Sequence, residues 1–129
     1  MKELGRQLIV ECYGCDSDLI NDISHIESLL VEAAEVTKAT IIDKKFHKFS
    51  PHGVSGVIVI AESHFAIHTW PEYGYCAIDI FTCGDLINSH DALNVIKKGI
   101  KASYLSAVEM KRGLLNLPDD QIKHKPDMS

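Results

Sequence analysis

Long apolar runs are missing from this chain: nothing in it approaches the roughly 20 consecutive apolar residues of a membrane-spanning helix. The opening MKELGRQLIVECYGCD also lacks the apolar core of a secretory signal. A cytoplasmic location is therefore expected, where the four cysteines remain thiols. Positive charge is short as well, since 13 Lys and Arg stand against 18 Asp and Glu, for a net charge of −5. Nucleic acid wants a basic face, so it is not an expected partner. A small cationic or polar ligand fits better. Internal repeats, low-complexity tracts and Pro/Gly/Ser linkers are absent too. One domain over residues 1–129 is expected, long enough to build a core without disulfide staples.

What is present reads as alternating strands and two helices. Residues 7–13 (QLIVECY) form an expected strand. Over 18–37, Leu19, Ile23, Ile26, Leu30 and Ala33 fall on one helical stripe, with Asp16 or Asp18 as cap. Strands are expected over 40–49, 54–61, 64–70, 75–83 and 104–111. A second helix is expected over 89–102 after an Asn88 or Ser89 cap, burying Leu93, Ile96 and Ile100. The order β-α-β-β-β-β-α-β with short loops predicts an α+β fold: an antiparallel sheet with two helices on one face, a two-layer sandwich. Val54–Ala61 is apolar on both faces. The face without helices is therefore expected to meet a second subunit.

The segment VIVIAESHFAIHTW, residues 57–70, poses the functional question. It reads as a hairpin, yet Glu62-Ser63 are poor residues for a two-residue turn, which favours Asn, Asp and Gly at positive φ. If Ala61 pairs with His64, then Val57 opposes His68 and Ser55 opposes Trp70. If Trp70 pairs with Tyr75, Cys83 falls beside Glu62. Ser55, His64, His68, Trp70 and Cys83 would then share one face. Each has a bland reading. Ser63 could be an ordinary turn serine, and the histidines could be core residues. His64 and His68 with Cys83 or Asp79 could instead form a metal site, although their spacing matches no common zinc pattern, and none is expected. Cys12-Tyr-Gly-Cys15 ends a strand rather than opening a helix, so buried thiols are expected there rather than a redox pair. Ser89-His90-Asp91 is a helix cap and not a triad.

FHKFSPHGVSGVIVIAESHFAIHTWPEYGYCAIDIFTCG, residues 46–84, closely resembles the small prokaryotic S-adenosylmethionine decarboxylase proenzymes. The similarity runs from about Gly5 to Arg112, carried by E-S-H, I-H-T-W-P-E and F-T-C-G in that order. The resemblance implies self-cleavage at Glu62–Ser63: Ser63 attacks the Glu62 carbonyl, and elimination frees residues 1–62 as a β chain. The α chain, 63–129, is then capped by a pyruvoyl group made from Ser63. It further implies His68 as processing base, Ser55 as support for the tetrahedral intermediate, and Cys83 as proton donor. The pyruvoyl group would form a Schiff base with S-adenosylmethionine, release carbon dioxide, and give the aminopropyl donor for spermidine synthesis.

For the substrate, the resemblance implies Phe49 stacking on adenine and Glu72 holding the ribose hydroxyls, with Trp70 a further candidate. It implies a homodimer of processed protomers, (αβ)2, in which Ser55, His68, Phe49 and Glu72 act on Ser63 and Cys83 of the other chain. Relatives that decarboxylate arginine or ornithine, and non-processing binding proteins, are the alternatives. The intact set Glu62, Ser63, His68 and Cys83 argues against the second.

Overall fold

A computed structural model describes residues 3–83 and 89–121. Strands β1 (Gly5–Tyr13), β2 (Ile41–Lys48), β3 (Val54–Ile60), β4 (Ser63–Trp70), β5 (Tyr75–Thr82) and β6 (Tyr104–Arg112) form one sheet. Its order is β2-β3-β4-β5-β1-β6, and every neighbouring pair is antiparallel. The α+β expectation holds. No helix among the described residues is long and apolar enough to cross a membrane.

The expected first helix is two: α1 (Ser17–Ile20) and α2 (Ile23–Val36). The division has a local cause. Asp16 Oδ1 accepts from the N–H groups of Asp18 and Leu19 at 3.0 Å each, starting α1. Asp22 repeats this for Ser24 and His25 at 3.0 and 3.2 Å, starting α2. A carboxylate two residues before free N–H groups competes with helix continuation. The kink leaves Asn21 outside both helices, which matters below. The second main helix is α3 (Ser89–Ile100), while Asn88 lies outside the described residues.

One face of the sheet packs on the helices. Val10, Ile58, Ile60, Phe65, Ile67, Ile78 and Ile80 from the strands meet Ile26, Leu30, Ala33, Ile96 and Ile100. At the α2–α3 crossing a Cβ on Gly99 would strike the Leu29 side chain, so only glycine lets the helices approach so closely. The opposite face is open in the protomer. Ile9, Val59, Val108 and Met110 there are between 39% and 62% exposed.

The hairpin register differs from the expected one. Ile60 pairs with Ser63 and Ser55 with His68, so Ala61 and Glu62 make the reversal and Ser63 opens β4. Val57 opposes Ala66, not His68, and Ser55 no longer opposes Trp70. The two registers differ by two residues and bury the same side chains, so hydrophobic pattern cannot separate them. Local bonds do. Thr69 Oγ1 accepts from the Val54 N–H at 2.9 Å, and the Ala61 N–H reaches the Thr40 carbonyl at 3.1 Å. The β4–β5 register, with Trp70 opposite Tyr75 and His68 opposite Ala77, is as expected.

Candidate active site

The site residues fall into two groups at opposite ends of the β3–β4 hairpin. At the bend, Glu62 takes a left-handed backbone conformation with φ +62°. For a residue with a Cβ this costs about 1–2 kcal/mol, and a bend made by Asn-Gly would avoid it. Glu62 Oε1 is buried and has no hydrogen-bond partner among the described residues. Ser63 follows, 7% exposed, alternating with Phe65, Ile67 and Thr69 on the helix-side face. Its Oγ accepts a long hydrogen bond, 3.4 Å, from the backbone N–H of Cys83, just beyond β5. The Cys83 thiol is half-buried. Glu62, Ser63 and Cys83 are thus one local cluster.

The other group lies at the open end of the hairpin. Ser55 Oγ and His68 Nδ1 are 2.8 Å apart. They line a cavity of about 380 Å³ together with Phe49, His52, Trp70 and Glu72. Two braced loops build it. The turn after β4, Pro71–Tyr73, begins with proline, where a missing N–H costs nothing, and ends at Gly74 with φ +59°. Ser17 Oγ donates to the Pro71 carbonyl at 2.8 Å, and the Cys15 N–H reaches Gly74 O at 2.8 Å. The turn between β2 and β3 is closed by Phe49 N–H to Gly53 O at 2.8 Å. Gly53 has φ +107°, and its N–H donates to Asn21 Oδ1 at 2.9 Å. The kink between α1 and α2 therefore holds the loop that presents Phe49.

Aromatic rings continue from this cavity across the sheet. His68 and Trp70 centroids lie 6.4 Å apart, Trp70 and Tyr75 5.3 Å, Tyr75 and Tyr13 5.5 Å, and Tyr13 and Tyr104 5.8 Å. The Tyr75 hydroxyl donates to Glu11 at 2.6 Å. Burial, followed by that bond to a carboxylate, raises the Tyr75 pKa.

Glu72 is the group that the sequence placed in the site without its partner. His52 Nε2 lies 2.7 Å from Glu72 Oε2. The Glu72 pKa is lowered, first by its own backbone N–H and further by His52. His52 was missed because its relation to Glu72 exists only once two loops 20 residues apart are packed side by side. Its one sequence signal is its place in the Ser50–Gly53 turn beside Phe49.

Two expectations are revised, and the metal alternative is set aside. Ser55, His64, His68 and Trp70 do share the open face, but they do not gather round the bend. His68 is five residues along β4 from Ser63, about 17 Å at 3.3–3.4 Å per residue, and Ser63 points to the opposite face. The metal alternative fails on the same arithmetic. His64 and His68 stand about 13 Å apart along the strand, far beyond ligand bonds of about 2 Å to a shared ion. His64 stacks on Phe81 instead, 5.7 Å away and 4° from parallel. The second revision is the bend itself, which is Ala61-Glu62 rather than Glu62-Ser63.

The Cys12-x-x-Cys15 thiols are buried, with Cys12 directly across from Cys76. Burial pushes the Cys12 thiol up to about 12. The hydrogen bond between Cys15 and Cys76 raises Cys76, with burial adding to the rise, and lowers Cys15 against the opposing effect of its burial. They are core thiols, as expected.

A family model described as S-adenosylmethionine decarboxylase matches residues 6–113. The S-adenosylmethionine decarboxylase proenzyme of Acidithiobacillus ferrooxidans is 46% identical over 129 residues, covering 98% of this chain and 97% of the relative. That of Caldanaerobacter subterraneus is 51% identical over 118 residues, 92% of this chain and 95% of the relative. The crystal structure of the adenosylmethionine decarboxylase from Aquifex aeolicus superposes with a TM-score of 0.84 at 32% identity, covering 94% of this chain and all (100%) of that one.

Proposed function

This chain belongs to the S-adenosylmethionine decarboxylase family, and we infer that it is the proenzyme of a decarboxylase acting on S-adenosylmethionine, activated by scission of its own Glu62–Ser63 bond. The observation that carries the scission is the bend. A glutamate held at φ +62° precedes a serine whose Oγ meets the Cys83 N–H. Strain kept at a position where Gly or Asn would relieve it suits a bond that is to be broken.

The chain's own residues supply the processing chemistry. Ser63 Oγ adds to the Glu62 carbonyl carbon, and the C–N bond breaks, so that the amide becomes an ester and residue 63 gains a free amine. A base then takes the Ser63 Cα proton. The Cβ–Oγ bond breaks, Glu62 leaves as the carboxylate end of the 1–62 chain, and residue 63 is left as dehydroalanine. Addition of water and loss of ammonia leave a pyruvoyl group at the head of the 63–129 chain. The surroundings fit such a group: the Cys83 N–H is a donor beside residue 63, and the same residue carries a free, half-buried thiol. In place, a pyruvoyl group supplies an electrophilic carbonyl for the substrate's amine and a sink for the electron pair left as carbon dioxide departs. Cys83 then protonates the substrate Cα.

His68 suits the base because an imidazole nitrogen can accept a proton, and Ser55 orients its Nδ1. It lies about 17 Å from Ser63 of its own chain, so the partner subunit's His68 serves each bend. The atoms it must reach, the Glu62 carbonyl and the Ser63 Cα–H, are backbone atoms at the tip of the hairpin and are not confined to one face. The open apolar face carrying Ile9, Val59, Val108 and Met110 is the surface on which a two-fold homodimer would close. Across it, one chain's Phe49, Ser55, His68, Trp70 and Glu72 complete the other's Ser63 and Cys83. Phe49 and Trp70 hold adenine, Glu72 the ribose hydroxyls, and a ring near the sulfonium adds about 0.5–2 kcal/mol.

Turnover of S-adenosylmethionine, arginine and ornithine by the processed protein tests the substrate. Carbon dioxide release from S-adenosylmethionine alone is expected. Release from arginine or ornithine instead would keep the processing chemistry and overturn the nucleoside assignment.

A further inference from the structure

We propose that His52 is a positioning residue for Glu72, fixing the carboxylate for the substrate's hydroxyls and setting the width of the cavity. The inference rests on the reading of Glu72 as the group that holds those hydroxyls. It adds a second residue, and a reason why the carboxylate stands where it does.

Glu72, its pKa lowered, is a carboxylate and can only accept, so His52 Nε2 carries the hydrogen in their 2.7 Å contact. A carboxylate offers about four acceptor positions. One, on Oε2, is taken by His52 and another by the residue's own backbone N–H, which leaves two for the substrate. Two neighbouring hydroxyls need both oxygens at once, and they find them in a plane that the imidazole has already fixed. Without His52, the three rotatable bonds of a half-exposed glutamate would have to be frozen by the substrate itself.

His52 can do this because it is itself held. Pro51 and Gly53 flank it, the Phe49 N–H closes the turn onto Gly53 O at 2.8 Å, and Asn21 Oδ1 receives the Gly53 N–H at 2.9 Å. The His52–Glu72 contact also joins the two loops that, among the described residues, line the cavity. Phe49 rides on one and Trp70 adjoins the other, so the clasp fixes the gap into which a flat base would slide. The two side chains are 37% and 36% exposed. A polar contact so exposed adds little to folding stability. Its loss should leave a folded, processed protein whose defect is confined to binding.

The test compares His52→Ala, His52→Gln, Glu72→Gln and the double variant His52→Ala/Glu72→Gln. Self-cleavage, melting temperature, and KM and kcat for S-adenosylmethionine are measured for each. His52→Ala should cleave and melt as the parent does, raise KM about tenfold, and keep kcat within about twofold. His52→Gln, whose amide can still donate, should recover most of the affinity. The double variant should be no worse than Glu72→Gln alone, because His52 acts through Glu72.

An unchanged KM in His52→Ala beside a raised one in Glu72→Gln would overturn the inference and leave the Glu72 reading standing. An unchanged KM in Glu72→Gln would overturn that reading first. Additive effects in the double variant, or lost cleavage in both His52 variants, would also overturn the inference, since His52 would then act elsewhere or merely hold the fold.

Discussion

The Ser55 hydroxyl lies 2.8 Å from Nδ1 of His68, on neighbouring strands and at the end of the hairpin remote from Ser63. That contact makes the two residues a unit, and the unit is out of reach of the serine in its own chain. The proposed site assembled from two copies is the arrangement that would bring this unit to a serine.

Co-expression of Ser63→Ala with His68→Ala tests that assembly. Each variant alone should remain uncut. Together, a mixed dimer holds one bend with an intact Ser63 facing an intact His68 of the partner subunit. Only the His68→Ala chain should be cleaved, in up to half of its copies given random pairing. Cleavage of His68→Ala expressed alone would remove the imidazole from the mechanism.

Trp70 and Phe49 should behave as binding residues rather than processing residues. Phe49→Ala should process normally and raise KM about tenfold or more, since base–aromatic stacking is worth about 1–3 kcal/mol. Trp70→Ala should also raise KM, together with a small loss of stability from its contact with Tyr75. Gel analysis of cleavage beside steady-state kinetics separates the two effects.

Thiol labelling separates the cysteines. With its pKa raised to about 12 by burial, Cys12 is a thiolate at pH 8 in only about one copy in 10⁴. The sign is that of an acid whose charged form is disfavoured, so reactivity rises only as pH approaches 12. Cys76 is raised as well and equally buried. Peptide mapping after brief iodoacetamide treatment at pH 8 should find the label on Cys83, with turnover lost in proportion. Label on Cys12 or Cys76 in the folded protein would contradict the packing described here.

Asp22→Ala should couple stability to the site. Loss of the α2 cap costs about 1 kcal/mol and lowers the melting temperature by a few degrees. It also loosens Asn21, which holds the Phe49 loop through Gly53. A KM increase smaller than that of Phe49→Ala is expected, with kcat unchanged.

The sequence reading recovered the parts of the fold that rest on periodicity. β-Branched runs such as Val57–Ile60 and the stripe Ile26, Leu30, Ala33 can be satisfied by one period only, so strands and helices emerged within a residue or two. The break at Asn21-Asp22 did not, because a capping aspartate inside an apolar stripe looks like a solvent-facing residue. Nor did the hairpin register, since registers two residues apart bury the same side chains. The identities of Glu62, Ser63, His68 and Cys83 came from motif order. That His68 and Ser63 of one chain lie far apart follows from their separation of five residues along β4, whichever register the hairpin takes. His52 and Glu72 met only when two loops did.

The central claim is scission between Glu62 and Ser63, and the most direct measurement is the denatured intact mass of freshly purified protein beside Ser63→Ala. The account predicts two fragments for the parent, residues 1–62 with a free carboxylate and residues 63–129 with a blocked, ketone-reactive N-terminus, and one full-length chain for the variant. A single full-length mass for the parent after long incubation at neutral pH, or equal cleavage of Ser63→Ala, would contradict it.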